Sequence, residues 1–297
     1  MGRIYNCILG FMLIAAMIMA APNTAEANPK YASIVIDANT GMVLRERYAD
    51  KKLHPASMTK IMTLYMAFDA MKRGKMNLNT PIRMSEHAAS MVPSKLYIKP
   101  GQTIRLEDAI LALVTKSAND VAAAVGEAIS GSESAFAADM TRMARRLGMN
   151  STTFKNASGL HHPAMVSTAR DMARLGQAMV HNFPQEYAYF KTNKFTYKGN
   201  TYGNHNRLMS SYEGMDGIKT GYVNASGFNL CASAKRDGIR LIGVVFGGRT
   251  TASRNAHMAK ILDEGFSKAK RIQTVMAAAD ALPSPKPKSI MLASLQG

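Results

Sequence analysis

From Tyr31 the stretch YASIVID alternates and is β-branched, breaks at Asn39-Thr40-Gly41, and resumes at Met42-Val43-Leu44, which predicts a β-hairpin. After Pro55-Ala56-Ser57 the period changes. In SMTKIMTLYMAFDAMKRG apolar residues recur at helical spacing, and Gly74 ends the predicted helix. Residues 75–105 are loop-rich. A second helical stretch runs from about Leu106 to Ile129 with a break near Thr115-Lys116-Ser117. A third spans roughly Ser134 to Leu147, and a fourth starts near Ser167-Thr168 and reaches about Val180. Past residue 190 short β-like runs dominate: Lys194 to Lys198, Gly217 to Tyr222, Phe228 to Ala234 and Ile239 to Phe246, the last two joined by an Arg236-Asp237-Gly238 turn. A final helix is expected over about Thr251 to Lys270. Strands at both ends with helices between predict an α+β fold. Its terminal strands share one antiparallel sheet, covered by the first and last helices, beside a mostly helical subdomain.

The two ends read differently. Arg3, the apolar run Cys7 to Met19 and Ala25-Glu26-Ala27 form a secretory signal over residues 1–27, with an apolar core too short to span a bilayer. Residues 28–270 then form the folded domain, and 271–297, with PSPKPK, read as a linker-like or disordered tail. Cys7 falls in the signal, so Cys231 has no partner and a disulfide scaffold is excluded, in keeping with export.

The formal net charge is +17 and is unchanged by removing residues 1–27. A field of that sign attracts polyanions. Export, the absence of Trp and the lack of any C2H2 or RNP-like pattern exclude nucleic acid. Solubility and loose peripheral contact with an anionic envelope are the expected consequences.

Three short segments carry candidate chemistry. Ser57-x-x-Lys60 sits where a helix begins, which puts hydroxyl and amine on one face. A serine hydroxyl needs a base, and Lys60 serves only if its pKa is lowered enough to make it neutral. Alone the pattern is weak: roughly one such match arises by accident in a chain this long, and Ser267-Lys270 is a second. Ser117-Ala118-Asn119 is equally weak, with Ser253-Arg254-Asn255 as its decoy. Lys219-Thr220-Gly221 occurs once, leads on from Gly214-Met215-Asp216-Gly217, and removes a side chain at Gly221 where a substrate backbone would lie close.

The ordered trio at 57, 117 and 219 follows the S-x-x-K, S-D-N and K-T-G set of penicillin-binding proteins and class A β-lactamases, with Ser117-Ala118-Asn119 keeping both ends of the middle element and Ala in place of its Asp. With SANDVAAAVGE, NASGLHHP, STARDMARLGQAMV and GMDGIKTGYVNASGFNLCASA, the chain resembles, over about Ala32 to Phe266, the low-molecular-weight penicillin-binding D-alanyl-D-alanine carboxypeptidases. The resemblance implies a β-lactamase/transpeptidase-like fold and attack by Ser57 on the bond between the terminal D-alanines of a peptidoglycan pentapeptide, with covalent capture by β-lactams. It implies Lys60 as general base, Ser117 in proton transfer to the leaving amine, and Asn119 as an orienting amide. Lys219 and Thr220 would hold the terminal carboxylate beside Gly221, and the N–H groups of Ser57 and Tyr222 would form the oxyanion hole. No metal or organic cofactor is implied. Residues after 270 match neither the β-rich second domain nor the amphipathic terminal helix that larger relatives often carry.

The rival functions are a D,D-endopeptidase of cross-links, a β-lactamase and a non-catalytic wall- or β-lactam-binding protein of the same fold. No Glu occurs between Asn156 and Asn182 to activate a deacylating water, so slow release of a penicilloyl group is expected. His161 and His162 read as loop histidines, Asp120 as a residue positioning its loop, and Asp171 as first-turn dipole compensation. The 23 methionines read as core filler. None of the sequons at Asn150, Asn156 and Asn224 is read as glycosylated.

Overall fold

The hairpin foreseen at Tyr31 forms one side of a five-stranded sheet in the computed structural model, which describes residues 28–280. In chain order the elements are β1 (Ala32–Asp37), β2 (Val43–Arg47), α1 (Lys60–Lys72), β3 (Pro81–Arg83), α2 (Glu86–Ser90), β4 (Thr103–Arg105), α3 (Leu106–Val114), α4 (Asn119–Ser130), α5 (Glu133–Arg146) and α6 (Ala169–Asn182). There follow β5 (Lys194–Tyr197), β6 (Asn200–Gly203), β7 (Met215–Val223), β8 (Gly227–Arg236), β9 (Ile239–Gly248) and α7 (Thr251–Asp280). The sheet is antiparallel in the order β2-β1-β9-β8-β7.

Alternation along the central strands feeds two cores. Ile34 and Ile36 of β1, with Ile242, Val244 and Phe246 of β9, face the helical subdomain. Val35, Leu241 and Val245 point the other way, with Leu230, Ala232 and Ala234 of β8. There they meet Met258, Ile261, Leu262, Phe266 and Ala269, spaced along one stripe of α7. Each large side chain buried in that stripe stabilises the fold by about 1.5–3 kcal/mol. The opposite face takes α6, with α1 packed beside it and reaching the sheet at β7.

The break expected near Thr115-Lys116-Ser117 separates α3 from α4. Small residues dominate the buried face of α4 and let its neighbours approach: a Cβ on Gly126 would stand 2.7 Å from the Phe136 ring. Gly131, at φ +83°, ends α4 by donating to Glu127 O, and the Ser132 hydroxyl caps α5 by accepting from Ala135 N.

Residues 75–105 are loop-rich, as expected, and also hold the short ladder β3–β4 and helix α2, whose three- to five-residue segments give too few periods to read. One reading needs correction. The last helix does not stop at Lys270 but continues through RIQTVMAAAD, a run rich in good helix formers, so residues 271–280 are helix rather than linker. The signal-peptide residues 1–27 and the tail residues 281–297 lie outside the described residues.

Candidate active site

Ser57 lies in a short 3-10 turn, Ala56–Thr59, that leads directly into α1. Ala56 takes a left-handed conformation, φ +51°, so the chain bends sharply just before the serine. One turn on, Lys60 is fully buried, and its Nζ has three neighbours: Ser57 Oγ at 3.2 Å, Asn119 Oδ1 at 2.7 Å and Ser158 O at 2.6 Å. Asn119 Nδ2 donates to Val92 O at 2.9 Å, which fixes the amide with its oxygen towards the lysine. Burial, and after it the Lys219 charge, holds the Lys60 pKa well below the usual lysine value, while Asp120 and Glu133 pull it partly back. A neutral amine has two hydrogens and one lone pair. Asn119 Oδ1 and Ser158 O can only accept, so they take the hydrogens and leave the lone pair for the hydroxyl of Ser57.

Ser117 lies in the break between α3 and α4, and Asn119 opens α4. Ser117 is left-handed, φ +61°, and its buried hydroxyl has no hydrogen-bond partner among the described residues. A buried hydroxyl left in that state costs stability unless something else engages it. Asp120 accepts from the backbone N–H groups of Leu96, Tyr97 and Val121, which pins the 94–97 loop beside Asn119. It thus has the loop-positioning place expected from sequence.

Opposite stands β7, an edge strand with no strand on its outer side among the described residues. A cleft of about 410 Å³ runs along that edge, lined by Ser57, Ser117, Asn119, Thr220, Gly221 and Tyr222 among others. Lys60 and Lys219 lie beneath the lining, 0% and 2% exposed. A Cβ on Gly221 would stand 2.9 Å from Pro55 O and 3.0 Å from Ser57 N, so only glycine lets the strand pass this close to the serine. Tyr222 is exposed at the lip, with its ring 4.5 Å from that of Phe228. Burial, with the Arg254 charge adding to it, lowers Lys219 to about 7.

The sequence profile of the peptidase S11 family, D-alanyl-D-alanine carboxypeptidase, matches residues 17–250. The chain belongs to this family. It is 37% identical over 263 residues to the D-alanyl-D-alanine carboxypeptidase DacF of Bacillus subtilis, a match covering 84% of this chain and 67% of that one. Among solved structures it resembles penicillin-binding protein 5 of Haemophilus influenzae, with TM-score 0.77, 32% identity, and 80% and 70% of the two chains covered. It also resembles penicillin-binding protein D2 of Listeria monocytogenes in its ampicillin-bound form, with TM-score 0.73, 30% identity, and 79% and 96% covered. The match spans about two thirds of the length of DacF of Bacillus subtilis and of DacC of Escherichia coli.

In this carboxypeptidase-family cleft two contributors escaped the sequence reading. Ser158 acts through a backbone carbonyl, which leaves no side-chain signal. Arg254, set aside within a decoy tripeptide, lines the cleft from the first turn of α7. Its guanidinium donates to Asn229 O and Asn255 Oδ1, pairs with no carboxylate among the described residues, and burial lowers it to about 10. His161 packs edge-on against His54 with ring centroids 4.8 Å apart, and His162 accepts from Ala164 N, as loop residues do. No helix among the described residues is long and apolar enough to cross a membrane.

Gly159 fixes how the 156–160 loop meets the serine. At φ +86° its added Cβ would fall 1.9 Å from Ala56 O, a backbone atom that cannot swing aside. Gly159→Ala is therefore expected to cost about 2–3 kcal/mol in urea denaturation and to slow acylation by penicillin together with it.

Proposed function

We propose that this chain is a serine D-alanyl-D-alanine carboxypeptidase that removes the terminal D-alanine of a peptidoglycan stem peptide through an acyl-enzyme on Ser57. The observation that carries the reading is the buried Lys60 amine. Its Nζ lies 2.7 and 2.6 Å from two acceptor-only oxygens and 3.2 Å from Ser57 Oγ, so in the neutral form the two oxygens take its hydrogens and the lone pair is left for the Ser57 hydroxyl.

The substrate adds to the free edge of β7 as an extra strand, a mode in which main-chain bonds supply affinity. Its terminal carboxylate meets Thr220 and Arg254, with the Lys219 charge just beneath. Lys60 takes the Ser57 proton as Oγ bonds to the carbonyl carbon. The oxyanion is held by the N–H groups of Ser57 and Tyr222. On collapse the C–N bond breaks, and the proton passes from Lys60 by way of Ser117 to the departing D-alanine amine. Water then adds to the ester, gives its proton to Lys60 and releases the shortened peptide, restoring Ser57. A β-lactam is opened by the same attack and remains as a penicilloyl ester, because no Glu stands in the 156–182 segment to activate water against it. Export and a net charge of +17 keep the enzyme beside anionic envelope polymers.

The test is incubation of the purified chain with diacetyl-Lys-D-Ala-D-Ala. Free D-alanine should appear, and benzylpenicillin should both block it and add a penicilloyl mass to the peptide bearing Ser57. A stable penicilloyl adduct without D-alanine release would mark a binding protein, and rapid turnover of benzylpenicillin would mark a β-lactamase.

A further inference from the structure

Lys60 owes its geometry to the 156–160 loop, and that loop is braced from two sides. On the α1 side, Lys60 Nζ donates to Ser158 O at 2.6 Å and Thr63 Oγ1 donates to Ala157 O at 2.6 Å. On the far side the Ala157 N–H donates 2.9 Å to Glu133 Oε1. Glu133 is the first residue of α5, nearly buried, and its other oxygen meets His87 Nε2 of α2 at 2.7 Å. A single peptide segment is thus clamped between the catalytic helix and a carboxylate that does not line the cleft.

We propose that Glu133 is a positioning residue for the reaction: by holding Ala157 N–H it sets where the Ser158 carbonyl stands, and through that carbonyl it orients the Lys60 amine towards Ser57. The inference rests on the reading of Lys60 as general base. Structural capping alone does not require this contact, since the Ser132 hydroxyl already caps α5. First-turn dipole compensation explains an acidic residue here but not a bond to the segment that contacts Lys60.

The charge acts together with the hydrogen bond. Lys60 is surrounded by Lys219 of β7, Asp120 of α4 and Glu133, while His87 faces the carboxylate from outside. A negative Glu133 favours the ammonium form of Lys60, so its removal lets the amine become neutral at lower pH.

The test compares Glu133→Ala and Glu133→Gln with the wild type. Readouts are the pH dependence of the acylation rate by fluorescent penicillin, the tripeptide kcat and KM, and the melting temperature. Glu133→Ala is expected to lower the acylation rate and kcat between about 10- and 100-fold, as small misplacements of catalytic groups do, with KM little changed. Glu133→Gln keeps an acceptor for Ala157 N–H. It should restore the rate above neutral pH while its acid limb moves to lower pH. Wild-type rates and pH profile in Glu133→Ala would overturn the proposal. So would equal losses in both variants that follow melting temperature with the acid limb unmoved. A wild-type chain that takes no penicillin would overturn the carboxypeptidase reading itself, and this inference with it.

Discussion

Lys60→Arg is expected to leave a folded protein that neither releases D-alanine nor acylates at a useful rate. The effect should be about 10³-fold or more in kcat/KM, within the range that general-base catalysis contributes. The guanidinium can reach the same oxygens, but it stays charged because it does not lose a proton in a protein. All its N–H groups donate, so no lone pair remains for the Ser57 proton. Ser57→Ala removes the acyl acceptor itself, and the fall should be on the order of 10⁴-fold or greater, with no penicilloyl adduct by mass spectrometry. The pair separates two roles: Lys60→Arg retains the nucleophile and should label slowly over hours, whereas Ser57→Ala should never label. Rapid labelling of Lys60→Arg would remove the lysine from its role.

Lys219→Gln is expected to lower kcat/KM for the tripeptide by about 10²–10³-fold, mostly through KM, because a carboxylate held in the cleft loses its buried counter-charge. The wild-type pH profile follows from the same group. Lys219 titrates at about 7 in the free site, and only its ammonium form attracts the carboxylate. Substrate KM should therefore rise roughly tenfold per unit as pH climbs above that value. The acid limb is expected to report Lys60, which as the proposed base acts only after losing its proton. The two lysines sense one another, so the limbs report the pair and not isolated residues.

Stability moves the opposite way. Between about 7 and 10.5 the unfolded chain binds more protons at Lys219 than the folded one, so wild-type stability at this site increases with pH. Lys219→Gln should melt above the wild type at neutral pH, with an advantage that shrinks towards pH 10.5. A variant that loses activity while gaining stability cannot owe the loss to unfolding. A lower melting temperature at pH 7 would contradict the burial argument.

Much of the fold was legible because it rests on local periodicity. YASIVID and the apolar spacing after Ser57 each place a strand or helix from a few residues, and the Thr115-Lys116-Ser117 break was visible where α3 ends. The short segments β3, α2, β4 and β6 were not legible, since three to five polar residues carry too few periods to register. The extension of α7 past Lys270 is hidden in the sequence by the proline-rich residues that follow it. At the site, the side chains that carry their own chemistry stood out in ordered motifs. Ser158 did not, since its contribution is a main-chain oxygen, and Arg254 did not, since its tripeptide looked accidental.

Sequence alone determined the residue types and their order: a hydroxyl with an amine three positions on, a later Ser-x-Asn, and a Lys-Thr-Gly on a strand, within an α+β succession of elements. Those are local properties, encoded by side-chain chemistry and the periods of helix and strand. Only the tertiary structure decided that the Lys60 amine is buried, that two acceptor oxygens stand within hydrogen-bond distance of it, and that β7 presents its outer edge beside Ser57. Burial and the orientation of a lone pair depend on chain segments about a hundred residues apart, and no short stretch of sequence carries that information.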